Sequence, residues 1–124
     1  MYVFIVYSDD DNEGIDMPKS VFIGEFEQLV LLVLLRLEDD GYALRLRQGL
    51  SKLAGRSVSR GALYRTLERL GTKGYVVWEL EERVPGRGGH PRRRYAVTAD
   101  GIGALRAFRS ALLELWEGLD KVLG

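Results

Sequence analysis

The sequence contains no cysteine, which removes disulfide frameworks and thiolate metal sites and fits a cytoplasmic setting. Its single histidine, His90, is too little for a multi-histidine metal site or a histidine-based catalytic triad. No apolar run approaches the roughly 20 residues that span a bilayer. The apolar start "YVFIVY" lacks a basic lead-in and runs into the acidic "SDDDNEGID", a poor signal peptide, so no membrane partner is expected. Catalytic patterns are missing as well. There are no paired carboxylates at helical spacing beside a base, no phosphate-cradling glycine loop after a strand, and no nucleophile with an evident activator. Neither an enzyme nor a cofactor is expected.

Net charge is also lacking, because 18 Lys and Arg balance 18 Asp and Glu. The balance hides a segregation. Residues 1–40 carry ten acids against Lys19 and Arg36, whereas residues 41–98 carry thirteen bases against Glu68, Glu79, Glu81 and Glu82. Residues 99–124 are nearly even. A polyanion responds to the local field and not to the total, so the middle segment is the one suited to nucleic acid. Its densest stretch is "GRGGHPRRRY", Gly86 to Tyr95. A length of 124 residues with 46% hydrophobic content suits one domain with an adequate core.

Apolar periodicity then places the elements. "EFEQLVLLVLLRL" (Glu25 to Leu37) is too long for an ordinary strand and predicts a buried helix, stopped by Asp39, Asp40 and Gly41. "YALRLRQGLSKLAG" predicts a second, amphipathic helix with Ala43, Leu46, Leu50 and Leu53 facing inward and Gly55 closing it. Ser59 caps a third helix whose inward stripe is Leu63, Leu67 and Leu70, with Gly71 and Gly74 ending it. "YVVWELEER" and "RRRYAVT" read as strands, the first alternating at Val76, Trp78 and Leu80, the second placing Arg93, Tyr95 and Val97 on one face. "VPGRGGHP" between them is a turn built from residues that tolerate unusual backbone angles.

After a cap at Thr98, the residues Leu105, Phe108, Leu112, Leu115, Leu119 and Val122 recur at alternating spacings of three and four. That is a heptad seam, which wants a partner helix. A second copy of the chain is the natural supplier, and packing on its own domain is the bland alternative. The expected fold class is therefore mainly α with a small antiparallel β hairpin: a winged helix-turn-helix plus a C-terminal dimerisation helix. Residues 1–20 form an N-terminal extension, mobile or read from an upstream start, since Met17 opens a second plausible beginning. Residues 21–98 form the winged helix and residues 99–124 the dimerisation helix.

At "GALYRTLERLGTKGYV" (Gly61 to Val76), "RGGHPRRRYAVTADG" (Arg87 to Gly101) and, more loosely, "LVLLVLLRLEDDGYALRLR", the chain resembles the PadR-type transcriptional regulators. The resemblance covers about residues 24 to 123. It implies a homodimeric, sequence-specific regulator of double-stranded DNA that represses by occluding a promoter. Third helices would enter successive major grooves of a palindromic operator while wings touch the flanking backbone or minor groove. Pro91 departs from the pattern, stiffening a return strand where relatives often carry a small or basic residue.

A recognition helix over about residues 59–73 presents Ser59, Arg60, Gly61, Tyr64 and Arg65 on its first two turns, the end that usually reaches base edges. Arg69 follows a turn later. The matching tyrosine of the family implies a phosphate contact for Tyr64, with half-buried packing as the alternative. In a wing at residues 84–94, Arg87, His90, Arg92, Arg93 and Arg94 are expected on phosphates or in a narrow minor groove. For the arginines the alternative is a solvated face, and for His90 a plain tip residue. Relatives that sense phenolic acids or flat apolar drugs imply Trp116 as a contact for a small apolar or aromatic effector, against simple interface packing. The competing function is a protein–protein adaptor on the same scaffold without DNA. Acids crowding the third helix would favour it, and only Glu68 lies there.

Overall fold

The computed structural model describes residues 23–81 and 91–124. Helix α1 (Glu25–Leu37) begins at an extended Gly24, and the Glu27 carboxylate reaches back 2.9 Å to accept the Gly24 N–H. That contact satisfies a donor which every helix start leaves open. Val30, Leu31, Val33 and Leu34 are buried, so α1 forms the centre of the core, as its apolar run predicts. A 3-10 turn (Glu38–Asp40) then leads to α2 (Ala43–Ala54). The two helices approach closely at Gly49, where a Cβ would stand 2.7 Å from Val33 Cγ1. Leu46 and Leu50 are fully buried. Gly55 closes α2 in the left-handed region at φ +64. Leu53, expected on the inward stripe, is exposed instead. It lies in the last turn, where the chain already turns away toward Gly55.

Ser59 caps α3 (Arg60–Thr72), its Oγ accepting the Ala62 N–H at 3.1 Å. Leu63, Leu67 and Leu70 are buried as expected. Gly71 does not end the helix, which runs through it to Thr72; the stop falls to Gly74 at φ +82. A glycine inside a helix costs about 1 kcal/mol relative to alanine and does not break it, whereas a left-handed residue must.

Strands β1 (Val76–Leu80) and β2 (Arg93–Val97) pair antiparallel, with Val76 opposite Val97, Trp78 opposite Tyr95 and Leu80 opposite Arg93. Alternation puts these six residues on one face, and Val77, Glu79, Arg94 and Ala96 on the other. Val76 and Tyr95 enter the core. Gly41, anticipated only as a helix stop, also docks the hairpin: its carbonyl accepts the Tyr95 N–H at 2.8 Å. A Cβ on Gly41 would stand 2.1 Å from the Tyr95 carbonyl oxygen, so no other residue fits this approach.

Thr98 caps α4 (Ala99–Trp116), accepting the Gly101 N–H at 3.0 Å and donating to the Gly74 carbonyl at 2.7 Å. Gly101 and Ala104 are buried, while every residue from Ser110 onward is exposed. The single C-terminal helix expected over residues 99–124 is instead two. Glu117 leaves helical geometry, Gly118 takes φ +82, and α5 (Asp120–Leu123) starts afresh from Leu119. A left-handed glycine ends a helix whatever the heptad spacing, so Leu119 and Val122 do not continue the stripe of Leu105, Phe108, Leu112 and Leu115.

Candidate nucleic-acid interface

Arg60, Gly61, Tyr64 and Arg65 are exposed on the first turns of α3, and spacings of three and four gather them into one strip. Tyr64 is 40% exposed and lines the groove beside α3. A Cβ on Gly61 would meet only Arg65 Nη1, at 3.4 Å, so the backbone here is open to a close approach. Among the described residues no carboxylate pairs with Arg60 or Arg65. The Ser59 hydroxyl is engaged as the cap.

Arg69 does not join this strip. Its Nε lies 3.3 Å from Glu27 Oε2 and its Nη2 donates to Thr66 Oγ1 at 3.2 Å. Glu27 is 4% exposed. Burial pushes its pKa up, but Lys73, the Gly24 amide and Arg69 outweigh that and hold the carboxyl below its usual range. Arg69 thus serves an inner carboxylate.

The three consecutive arginines of the hairpin are split by strand parity. Arg93 faces α3, its guanidinium stacked 4.0 Å above the Trp78 ring. Tyr64, Arg65, Glu68, Trp78 and Arg93 line a groove of about 590 Å³ between α3 and the hairpin. Tyr95 lines it too; its buried hydroxyl has no hydrogen-bond partner among the described residues. Burial raises the Tyr95 pKa, with Arg93 opposing.

Arg92 and Arg94 turn to the opposite face. The Nε and Nη2 of Arg92 donate to Glu81 Oε1 at 3.2 and 3.1 Å, and its guanidinium stacks 3.7 Å over the Tyr42 ring. The Tyr42 hydroxyl donates to Glu81 Oε2 at 2.8 Å, a bond that raises the Tyr42 pKa. Arg94 pairs with Glu79, which lifts the guanidinium pKa still higher. Arg87 and His90 lie outside the described residues.

Sequence reasoning missed Trp78 and Tyr42 as platforms for arginines, and it missed the outer face of α2 as part of a candidate site. A second groove of about 670 Å³ follows α2 and the α2–α3 turn, lined by Arg47, Gln48, Ser51, Lys52 and Ser57 among others. Gln48, Ser51 and Lys52 share a helix face by spacing, which is the signal that could have found it.

At the far end of α4, Leu112, Leu113, Leu115 and Trp116 expose a contiguous apolar surface, with Leu115 at 73%. Leu105 and Phe108 are partly buried nearer the body. Trp116 is the last residue of α4. Among the described residues, no helix is long and apolar enough to cross a membrane, and no group of His, Cys, Asp or Glu is placed to hold a metal.

Comparison with known proteins fits this geometry. The sequence model of the transcriptional regulator PadR-like family matches residues 30–107. A PadR-like transcription factor from Bacteroides fragilis is 28% identical, superposes with a TM-score of 0.64, and aligns over 78% of this chain and 88% of its own. A PadR family transcriptional regulator from Eggerthella lenta is 29% identical, with a TM-score of 0.60 over 80% of this chain and 86% of its own. A PadR family regulator from Clostridium difficile is 19% identical and shares the fold, with a TM-score of 0.63 over 82% of this chain and 100% of its own. No curated protein matches. With a match spanning α1 to α4 on a helix-helix-helix-hairpin-helix frame, the chain belongs to the PadR-like transcriptional regulator family.

Proposed function

We propose that the protein acts as a homodimer that binds double-stranded DNA sequence-specifically and represses transcription by occluding a promoter. One observation carries the reading: arginines that pair with no carboxylate among the described residues gather about one groove, Arg60 and Arg65 on α3 and Arg93 across from them. The start of α3 enters the major groove. There Arg60 and Arg65 offer forked donors to guanine edges, each good bidentate pair discriminating by roughly 1–3 kcal/mol. Gly61 lets the helix come close, and the Tyr64 hydroxyl and the capped helix start at Ser59 face phosphates. Arg93 holds backbone beside α3, with Arg87 and His90 as further wing contacts. Gln48, Lys52 and Ser57 extend the phosphate track along α2. Arg69, Arg92 and Arg94 leave the contact set because each serves a carboxylate.

The exposed apolar end of α4 is the dimer surface. Twofold pairing there buries Leu112, Leu115 and Trp116 against their symmetry mates and presents two recognition helices to a palindrome. A small apolar or aromatic effector would act at the same place, through Trp116.

Selection of DNA from a random pool, followed by gel shifts over a salt series, tests this. A palindrome with half-sites about one helical turn apart is expected. If each protomer neutralises about four phosphates, affinity falls with salt at a log–log slope of about −7. Failure to select any DNA, or affinity indifferent to salt, overturns the reading.

A further inference from the structure

The hairpin's outer face carries two arginine–carboxylate pairs that differ in reach. Arg94–Glu79 stays within the hairpin, whereas Arg92–Glu81 is joined by Tyr42, the residue just before α2. Both carboxylate oxygens of Glu81 are used, Oε1 by Arg92 and Oε2 by the Tyr42 hydroxyl. The Tyr42 ring covers one face of the Arg92 guanidinium at 3.7 Å. Glu81 and Arg92 also share a backbone bond of 2.7 Å, the pair just beyond the strand ends. Tyr42 is itself held on both sides. The preceding Gly41 carbonyl accepts from Tyr95 at 2.8 Å, and the Tyr42 carbonyl accepts from Leu46 at 2.9 Å in the first turn of α2.

A guanidinium so engaged must give up a stack and two charge-assisted bonds before it can reach a phosphate. Partial burial of the pair lessens the screening that makes exposed ion pairs weak. We infer that Tyr42, Glu81 and Arg92 form a clamp that fixes the hairpin's direction against α2, making Arg92 a positioning residue for DNA binding and not a phosphate contact. The clamp sits at the outermost described rung, the end of the hairpin farthest from its core pair Val76–Val97, where a tie resists rotation of the strands with the longest lever. The inference rests on the DNA-binding reading above.

Charge exchange separates the two roles. Arg92→Glu and Glu81→Arg are each expected to weaken binding to the selected operator about tenfold, and the double exchange to recover most of that loss, because a reversed pair can still close. Hydroxyl-radical protection flanking the half-sites should disappear in each single variant and return in the double, with helical content unchanged by circular dichroism. Tyr42→Phe keeps the stack, loses the hydroxyl bond and is expected to weaken binding severalfold. Arg93→Gln serves as the comparison, a direct contact that lowers the salt slope by about one. A double exchange as weak as Arg92→Glu alone overturns the clamp and makes Arg92 a contact. Single variants that bind like wild type overturn it as well. Should a reversal prevent folding, Tyr42→Phe and Glu81→Gln carry the test, since additive losses in that pair also refute a shared clamp. A wild-type protein that selects no DNA defeats the DNA-binding reading itself, a separate outcome.

Discussion

The Lys73 ammonium sits 2.9 Å from the Glu27 carboxylate, tying the end of α3 to the first turn of α1. The same carboxylate holds Arg69 at 3.3 Å and the Gly24 amide at 2.9 Å. One buried acid thus fixes the pitch at which α3 leaves the core. Replacing Glu27 with Ala releases all three partners, and hydrogen bonds to charged groups are each worth about 1.5–3 kcal/mol. Lys73 and Arg69 are partly exposed and regain water, so the net loss should be nearer about 2 kcal/mol than the sum. Guanidinium chloride unfolding measures it; an unchanged midpoint would remove Glu27 from the structural account.

The same residue sets an acid limit. Its carboxyl titrates lower folded than unfolded, where a glutamate loses its proton near about pH 4.3. The folded state therefore binds fewer protons, and the stabilisation is whole above that pH and lost as pH falls through the folded value. Unfolding free energy plotted against pH should drop on the acid side in the wild type and be flatter in Glu27→Gln. Parallel curves for the two proteins would refute the assignment.

Glycines in this fold divide by what surrounds them. Gly103 in α4 has open space around its missing Cβ, and Gly103→Ala should stabilise by roughly 0.5–1 kcal/mol through helix propensity. Gly41→Ala drives a methyl to 2.1 Å from the Tyr95 carbonyl, which is backbone and cannot swing aside. Overpacking of that kind costs roughly 1–3 kcal/mol or more. Thermal melts should move in opposite directions, and a stable Gly41→Ala would mean that the hairpin does not dock there.

Most of the architecture was legible because it follows from local chemistry. The α1 run, the cap at Ser59, the closure at Gly55 and the period-two face of Arg93, Tyr95 and Val97 all stand as read. The helix break ahead of Leu119 was missed because spacing counts residues and is blind to a left-handed glycine among them. The partners of the arginine run were hidden for a different reason. Its alternation was visible, but whether Glu79, Glu81 and Tyr42 lie opposite depends on the register and on Gly41 docking, which local sequence does not encode.

The two arginines flanking the α3 groove should fail differently. If Arg65 reads base edges as proposed, Arg65→Ala should relax preference at one operator position while leaving most nonspecific affinity in place. If Arg93 meets backbone phosphate as proposed, Arg93→Ala, which also uncovers Trp78, should weaken all sequences alike and lower the salt slope by about one. Titrating operator and scrambled DNA against both variants distinguishes them. Identical profiles would mean that α3 does not read bases through Arg65.

The break at Gly118 makes a graded prediction for assembly. On an uninterrupted seam, Leu115 and Leu119 would be successive layers of one interface and would matter equally. With α4 ending at Trp116, Leu115 stays on its stripe whereas Leu119 precedes a separate short helix. Leu115 is 73% exposed in the single chain, and burying such a side chain against a partner is worth about 1.5–3 kcal/mol. A twofold interface counts each residue twice, so Leu115→Ala should raise the dimer dissociation constant by about two orders of magnitude or more. Leu119→Ala should raise it far less. Leu115→Glu, placing like charges against each other, should yield monomers at micromolar concentration that keep their helical content. Sedimentation velocity over a dilution series reads all three. Equal effects at 115 and 119 would show that the dimer straightens the break, and a Leu115→Glu protein that remains dimeric would move the interface elsewhere.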